Sequence, residues 1–227
     1  MSIEDKLTQV AENVPKVYAA GQKAEYDAFW NLYQSNGTRK DYTNAFGGIG
    51  WTNETFKPKH NINPSGGSYM MFRSCGVKGD LVAIAESLGI HIDFTQLIAC
   101  QYMFQSSNFT RIGNVKTVSG TYSLTSTFDS CKSLETIDSL YIYPSQALSA
   151  VFSGCTALKN LTIDGSIGKN GFNVSACPLT HDSLMSIINA LENKTSGTFS
   201  VTLGATNLAK LTDAEKAIAT QKGWTLA

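Results

Sequence analysis

The sequence predicts an α/β solenoid, in which short repeats stack so that their strands form a narrow parallel ladder between two caps. Four segments place a phenylalanine three residues before a cysteine or a serine, at positions 72, 104, 128 and 152. The last two units stay in register 24 residues apart, a period typical of stacked repeats. Their matched apolar positions are Leu124, Phe128, Cys131, Leu134 and Ile137 in one unit and Leu148, Phe152, Cys155, Leu158 and Leu161 in the next.

A single unit of this kind is too small to fold alone. It buries about five apolar side chains at roughly 2 kcal/mol each, whereas ordering a residue costs about 1.5 kcal/mol. Neighbouring units must therefore cover one another, and both ends of the stack need caps. The predicted repeat core contains Phe72, Cys75, Phe104, Phe128, Cys131, Leu134, Phe152, Cys155 and Leu158.

Residues 1–37 predict a helical segment that mediates oligomerisation. Small and apolar residues recur at alternating four- and three-residue steps, which is the seam of a coiled coil. Four heptads of this kind favour a homo-oligomer, with a trimer preferred. Alternatively, the segment is a cap helix docked on the first repeat through the aromatic residues of 26–33, and both can hold. The predicted seam consists of Ile3, Leu7, Val10, Val14, Val17, Gly21, Ala24 and Ala28.

Residues 38–68 predict an irregular N-terminal cap rich in aromatic residues and glycine. Pro58 and Pro64 exclude a long helix here. Trp51 has two interpretations: its ring stacks on a sugar, or it covers the open end of the solenoid. The second is favoured, because solenoid ends must be covered and aromatic side chains cover much apolar area.

The repeat body is predicted to occupy residues 69–179. Each phenylalanine-to-leucine turn leads into a short strand, so the strands should line up in parallel. Residues 80–88 interrupt the pattern with a helical turn, and short strands are predicted around residues 91–94 and 172–174.

Residues 180–227 predict a C-terminal cap with the order helix, strand, helix, strand. Residues 180–191 carry an apolar stripe at helical spacing, and residues 198–203 alternate as a strand does. Thr212 and Glu215 form a capping box that begins the last helix, which Gly223 ends. Residues 224–227 are predicted to be an edge strand.

Composition excludes several classes of function. Lys plus Arg and Asp plus Glu both number 18, and no basic stripe is present, which argues against a nucleic-acid partner. No run is long and apolar enough for a membrane span, and no leading segment resembles a secretion signal. We therefore expect a protein made in the cytosol. A neutral, hydroxyl-rich surface suits a structural protein or a binder of polar, uncharged ligands.

The five cysteines predict a structural role rather than a metal or disulfide site. They stand at 75, 100, 131, 155 and 177, and their separations follow the repeat with no C-x-x-C pair. We expect one buried column of thiols, and no cofactor or metal is predicted.

The Phe-x-x-Cys-x-x-Leu units resemble the irregular leucine-rich repeats of the BspA type, found in bacterial surface proteins and in many prophage reading frames. Residues 12–33, 51–58 and 211–224 are similar to proteins encoded among phage and prophage tail genes of Gram-positive gut bacteria. The resemblance implies a virion tail, baseplate or fibre component, assembled in the bacterial cytoplasm beside other tail proteins. BspA-type adhesins carry secretion and wall-anchoring signals that are not seen here, which favours the phage interpretation.

The predicted function is therefore non-enzymatic, with the repeat domain presented to a host-surface glycan or protein. Candidate ligand-binding residues flank the predicted strands, and Trp51 is added as a possible platform. One alternative is a protein–protein interaction module. Another is a polysaccharide depolymerase, for which stacking would have to bring Asp138 and Asp164 together. The strand-flanking candidates are Tyr141, Tyr143, Thr162 and Asp164.

Overall fold

The computed structural model describes residues 42–48, 50–58 and 60–227. In this part of the chain the protein is a mixed α/β fold built on a five-stranded parallel sheet. The predicted coiled-coil seam from Ile3 to Ala28 lies outside the described residues. The strands of the sheet are β1 (Lys78–Asp80), β2 (Phe94–Leu97), β3 (Asn108–Thr117), β4 (Thr136–Ile142) and β5 (Asn160–Gly165).

The sheet has the strand order β1-β3-β4-β5, and β2 pairs with β3 beyond the end of β1. Ile112 pairs with Ile137, which in turn pairs with Leu161. These three side chains are buried, so the apolar positions of successive strands point to one side. The opposite side of β3, β4 and β5 carries polar and aromatic side chains.

Helix α1 (Leu81–Ser87) follows β1 directly, as the apolar pattern at 80–88 predicted. The Asp80 carboxylate caps it by accepting hydrogen bonds from the amides of Val82 and Ala83. A strand was predicted around residues 91–94, but β2 begins only at Phe94, and Ile92 makes an isolated bridge to Ile62. No strand forms at 172–174, where Asn173 alone makes a bridge to Thr202.

The C-terminal part contains two longer helices and a two-stranded parallel sheet. Thr180 and Thr212 cap the helices, and the capping box with Glu215 is present as predicted. A short helix between the two longer ones was not predicted. The elements are α2 (His181–Ala190), β6 (Phe199–Val201), α3 (Ala205–Leu208), α4 (Asp213–Gln221) and β7 (Trp224–Leu226).

Helix α2 covers the edge of the sheet at β5. The hydroxyls of Ser183 and Ser186 accept hydrogen bonds from the amides of Leu161 and Ile163, at 2.9 and 2.8 Å. Two serines one turn apart therefore supply acceptors that a sixth strand would otherwise provide. This arrangement prevents another chain from adding to the sheet at this edge.

Phenylalanine rings stack in a continuous column behind the sheet. The Phe72 and Phe104 centroids are 5.5 Å apart, and the Phe104–Phe128 and Phe128–Phe152 distances are 5.5 and 5.6 Å. Interplanar angles of 5–7° show that these rings are parallel. Phe46 extends the column at 5.1 Å from Phe72. All five side chains are buried, so they form one core rather than separate ones.

The turn around each of these phenylalanines has the same backbone conformation. The residue two places before the ring and the residue two places after it both have positive φ, for example Ser126 at 52° and Ser130 at 60° around Phe128. Glycine fills the second position in the first and last turns, at Gly48 and Gly154. We call this set of five turns, around Phe46, Phe72, Phe104, Phe128 and Phe152, the turn ladder.

Within the turn ladder, the N–H groups of the two positive-φ residues and of the phenylalanine between them point to the next turn. Ser126, Phe128 and Ser130 donate to carbonyl oxygens of the next turn at 3.0, 3.0 and 2.6 Å. The same three bonds recur between the earlier turns. Three columns of hydrogen-bonded peptide groups therefore run through all five turns.

The first turn was not expected from the sequence. Residues 38–68 were predicted to be irregular, but their described part contains the Phe46 turn with Asn44 and Gly48 at positive φ. Phe56 packs against both Phe46 and Phe72, at 5.3 and 6.1 Å between ring centroids. This turn lacks the sequence pattern of the other four, because no Cys or Ser stands three residues after Phe46.

The cysteines are buried and free, and three of them, Cys75, Cys131 and Cys155, stand three residues after the phenylalanine of a turn. Cys131 and Cys155 each donate an S–H bond to the carbonyl of the phenylalanine one layer earlier, at 2.9 Å. Ser107 occupies the same position in the layer before Cys131, 3.6 Å from its sulfur. Cys100 lies outside this column, because it stands four residues before Phe104, where later turns have leucine.

Replacing Phe128 by alanine tests the ring column at its centre. Phe128 has a parallel ring on both sides, so Phe128→Ala should lower the free energy of unfolding by about 3–5 kcal/mol in denaturant titrations. Tyr69→Ala is the control, because Tyr69 is 36% exposed and should cost under about 1 kcal/mol. Equal effects of the two variants would contradict the stacked core.

The thiols should be unreactive in the folded protein. Burial raises the pKa of Cys75, Cys100 and Cys177 to about 12 and that of Cys131 to about 11. At pH 8, a disulfide reagent such as Ellman's should react slowly with the native chain and fully after unfolding.

The same shifts predict a dependence of stability on pH. Each folded pKa lies above the ordinary thiol value of 9.0. The contribution of the protonated, buried thiols to the free energy of unfolding is therefore complete below pH 9, and it is lost as the pH rises towards the folded pKa values. Native thiols that react with the disulfide reagent as fast as free cysteine would contradict the burial from which both predictions follow.

Candidate functional site

The solvent side of β3, β4 and β5 is the candidate site. The residues of this side stand next to buried residues in each strand. Ile112, Leu140 and Ile163 are examples of the buried neighbours. Neighbouring strands bring these polar side chains into contact across the sheet. We call this surface the strand face, formed by Arg111, Asn114, Lys116, Asp138, Ser139, Tyr141, Tyr143, Thr162 and Asp164.

An aromatic cluster lies at one end of the strand face. The Tyr141 and Tyr143 rings are 4.8 Å apart and inclined by 61°, and Lys116 Nζ is 4.4 Å from the Tyr141 ring centroid. The Tyr143 hydroxyl donates to the Thr117 carbonyl at 3.2 Å. Tyr141 pairs in register with Asp164, so two rings, a cation and a carboxylate meet here.

Two glycines make room for these tyrosines. A Cβ on Gly120 would lie 2.6 Å from the Tyr143 Cβ, so any other residue there would displace that side chain. Gly165 has φ of +84°, and a Cβ there would lie 2.2 Å from the Ile142 carbonyl oxygen. The position of the aromatic cluster therefore depends on glycine at both sites.

Arg111 organises the other end of the strand face. Its Nε and Nη2 donate to the two carboxylate oxygens of Asp138, both at 2.8 Å. Its Nη1 donates to Asp80 at 3.3 Å. These hydrogen bonds, first to Asp138 and then to Asp80, raise the pKa of Arg111 above its usual range. Since Asp80 also caps α1, the helix is held next to the sheet.

A cleft of about 230 Å³ lies between α1 and this end of the strand face. Its helix side is mostly apolar, with Leu81, Val82 and Ala85 beside one acidic residue, Glu86. Gly113 stands opposite, where a Cβ would lie 3.4 Å from Val82 Cγ2. The remaining lining is mostly polar, so the cleft combines an apolar wall with hydrogen-bonding groups. These further residues are Ile90, His91, Ile92, Asp93, Phe94, Thr95, Asn114 and Asp138.

The structure brings most, but not all, of the predicted ligand-binding residues together. Tyr141, Tyr143 and Asp164 are in one cluster, and Thr162 is exposed on β5 beside them. Trp51 is buried near the first turn, where it packs on Phe46 and Phe56. Trp51 therefore does not contribute a ring to the strand face.

The two carboxylates considered for depolymerase chemistry both have partners. Asp138 is held by Arg111 in a two-point contact, and Asp164 accepts a hydrogen bond from the Ser139 hydroxyl. The strand register places Asp164 beside Tyr141 and not beside Asp138.

Sequence reasoning missed the part of the strand face that lies on β3. Arg111, Asn114 and Lys116 were not predicted, although they alternate with the buried Ile112, Val115 and Thr117. This alternation was a usable signal, but residues 108–117 lack the leucine spacing of the later units. The cleft beside α1 had no sequence signal, since it depends on where the helix packs.

Comparison of the chain with protein-family models, with curated proteins and with solved structures found no match. The resemblance to BspA-type repeats and to phage tail proteins therefore stays a prediction. Among the described residues, no helix has the length and apolarity needed to cross a bilayer. The described residues also contain no cluster of three or more side chains suited to hold a metal ion.

Proposed function

We propose that the chain is a non-enzymatic binding protein whose repeats form a short solenoid and whose strand face binds a cell-surface glycan. The observation that carries the proposal is the cluster of Tyr141, Tyr143 and Lys116 beside Asp164. Aromatic rings offer apolar faces to sugar rings, and nearby polar groups fix the orientation of a ligand through hydrogen bonds. The stacked turns and strands support the solenoid interpretation, because each layer repeats the same backbone conformation.

The extent of the strand face suits a polymer better than a single small molecule. It continues from the aromatic cluster through Ser139 and Asn114 to the cleft beside α1. The path offers both donors and acceptors, with Lys116 and Asn114 on β3 and Asp164 on β5. A neutral glycan chain can use both kinds of group without burying an unpaired charge.

We also propose, from the resemblance of the repeats and termini, that the protein is a component of a phage tail, baseplate or fibre. In this role the strand face would contact the host surface or another tail protein, and residues 3–28 would join sister chains. Immunogold labelling of intact virions tests this assignment. Labelled tail tips would support it, and absence of the protein from purified particles would contradict it.

A protein partner is the second candidate for the strand face. Tyrosine and arginine are enriched at the centres of protein interfaces, and the apolar wall of α1 could receive a side chain of a partner. The two candidates differ in the expected ligand, so the same surface variants test both.

Removing Tyr141 tests the binding role. On a panel of bacterial surface glycans, Tyr141→Ala should weaken binding of the selected glycan at least about tenfold, which corresponds to about 1.4 kcal/mol. Tyr69→Ala is the matched control, because Tyr69 lies in the turn ladder and not on the strand face. Equal affinity of Tyr141→Ala and the unaltered chain would contradict the glycan proposal.

A further inference from the structure

A groove of about 730 Å³ lies at the C-terminal end of the turn ladder. One wall is the Phe152 turn, and the other is the segment that follows β5. We call it the end groove, and it shares no residue with the strand face. Its lining consists of Ala147, Leu148, Ser149, Ala150, Phe152, Ser153, Gly154, Lys169, Asn170, Gly171, Asn173, Ser175, Ala176 and Thr202.

The columns of hydrogen-bonded peptide groups end at this groove. One column runs through the amides of Gly48, Ser74, Ser106 and Ser130, which donate at 2.8, 2.7, 2.8 and 2.6 Å to the next turn. Its last peptide group is that of Gly154. In the other two columns the last amides belong to Ala150 and Phe152. Within the described residues, none of these three amides donates a hydrogen bond.

The following segment does not continue the turn ladder. Val174 stands three residues before Cys177, as Phe152 does before Cys155, and Cys177 lies in the thiol column. The amide of Val174 donates instead to the Thr202 carbonyl at 2.9 Å. Phe172 covers the Phe152 ring at 5.6 Å. The apolar core is therefore closed here, while the amides beside it are left without protein acceptors.

The orientation of the peptide groups gives the end groove a positive potential. Each peptide has a dipole of about 3.5 D, and head-to-tail alignment leaves partial positive charge at the N–H end, as at the start of a helix. Here three parallel columns end together. Backbone N–H groups gathered in this way form an anion-binding concavity.

The side chains of the end groove also favour an anion. Lys169 supplies a cation, and Ser149 and Ser153 supply hydroxyl donors, whereas the Ser175 hydroxyl already donates to Asn173 Oδ1 at 2.8 Å. None of the lining residues is an aspartate or a glutamate. An added strand fits less well, because a Cβ on Gly171 would lie only 3.9 Å from the Leu148 carbonyl, so the walls approach each other there.

We propose that the end groove binds an oxyanion, such as a phosphate or carboxylate group of an anionic polymer. The amides of Ala150, Phe152 and Gly154 donate to its oxygens, and Lys169 neutralises its charge. This site would be the second on the molecule, independent of glycan binding at the strand face. Either site could be lost without the other.

Titration of the ¹⁵N-labelled chain with inorganic phosphate, at constant ionic strength, tests the proposal. The amide signals of Ala150, Phe152 and Gly154 should shift and saturate, whereas those of Ser126, Phe128 and Ser130 should not, because they already have acceptors. Glycerol phosphate oligomers and polyglutamate then distinguish a phosphate from a carboxylate ligand.

Charge reversal at Lys169 provides the matched comparison. Lys169→Glu should weaken phosphate binding at least about tenfold, and Lys132→Glu, which makes the same change outside the groove, should alter it less than about twofold. Shifts spread over unrelated amides, no saturation, or equal effects of the two variants would overturn the proposal. So would a neutral peptide that shifts the groove amides when phosphate does not.

Discussion

The structure depends on one repeated constraint, the positive φ of the residues two places before and two places after each stacked phenylalanine. In each turn but the last, the amides of these two residues and of the phenylalanine between them bond to the next turn. Residues other than glycine adopt this conformation at a cost of about 1 kcal/mol each. The parallel rings and the three columns of hydrogen bonds offset that cost, and they do so only when several turns stack.

This constraint accounts for the residues that surround each ring. Ser74, Ser106 and Ser130 take the positive-φ position after the ring, where a short side chain fits, and Gly154 takes it in the last turn. The position one residue later must be small because its side chain contacts the previous layer, and Ser107 replaces cysteine there in one layer. The strands on the other side of the core then follow at the spacing that the turns impose.

The ring positions, the strands after them and the capped helices of the C-terminal part could be predicted from the sequence, because each has a local signal. Phe128 and Phe152 have matched leucines, and Thr212 has its capping partner. The Phe46 turn could not be predicted, because its signal is a conformation rather than a residue type. The strand face was only partly predicted, since Lys116 reaches Tyr141 through strand pairing and the cleft depends on the packing of α1. The end groove could not be predicted, because it depends on the amides of the last turn that find no acceptor among the described residues.

Two surfaces of different chemistry therefore follow from one repeating unit: an aromatic and polar strand face, and a groove where aligned peptide groups end. Native-state hydrogen exchange at the equivalent amides of successive turns tests this account most directly. Ser74, Ser106 and Ser130 should exchange slowly, near the limit set by global unfolding, and Gly154 should exchange orders of magnitude faster. Equal protection of Gly154 and Ser130, or fast exchange at all four, would contradict columns that run through the turns and stop at the last one.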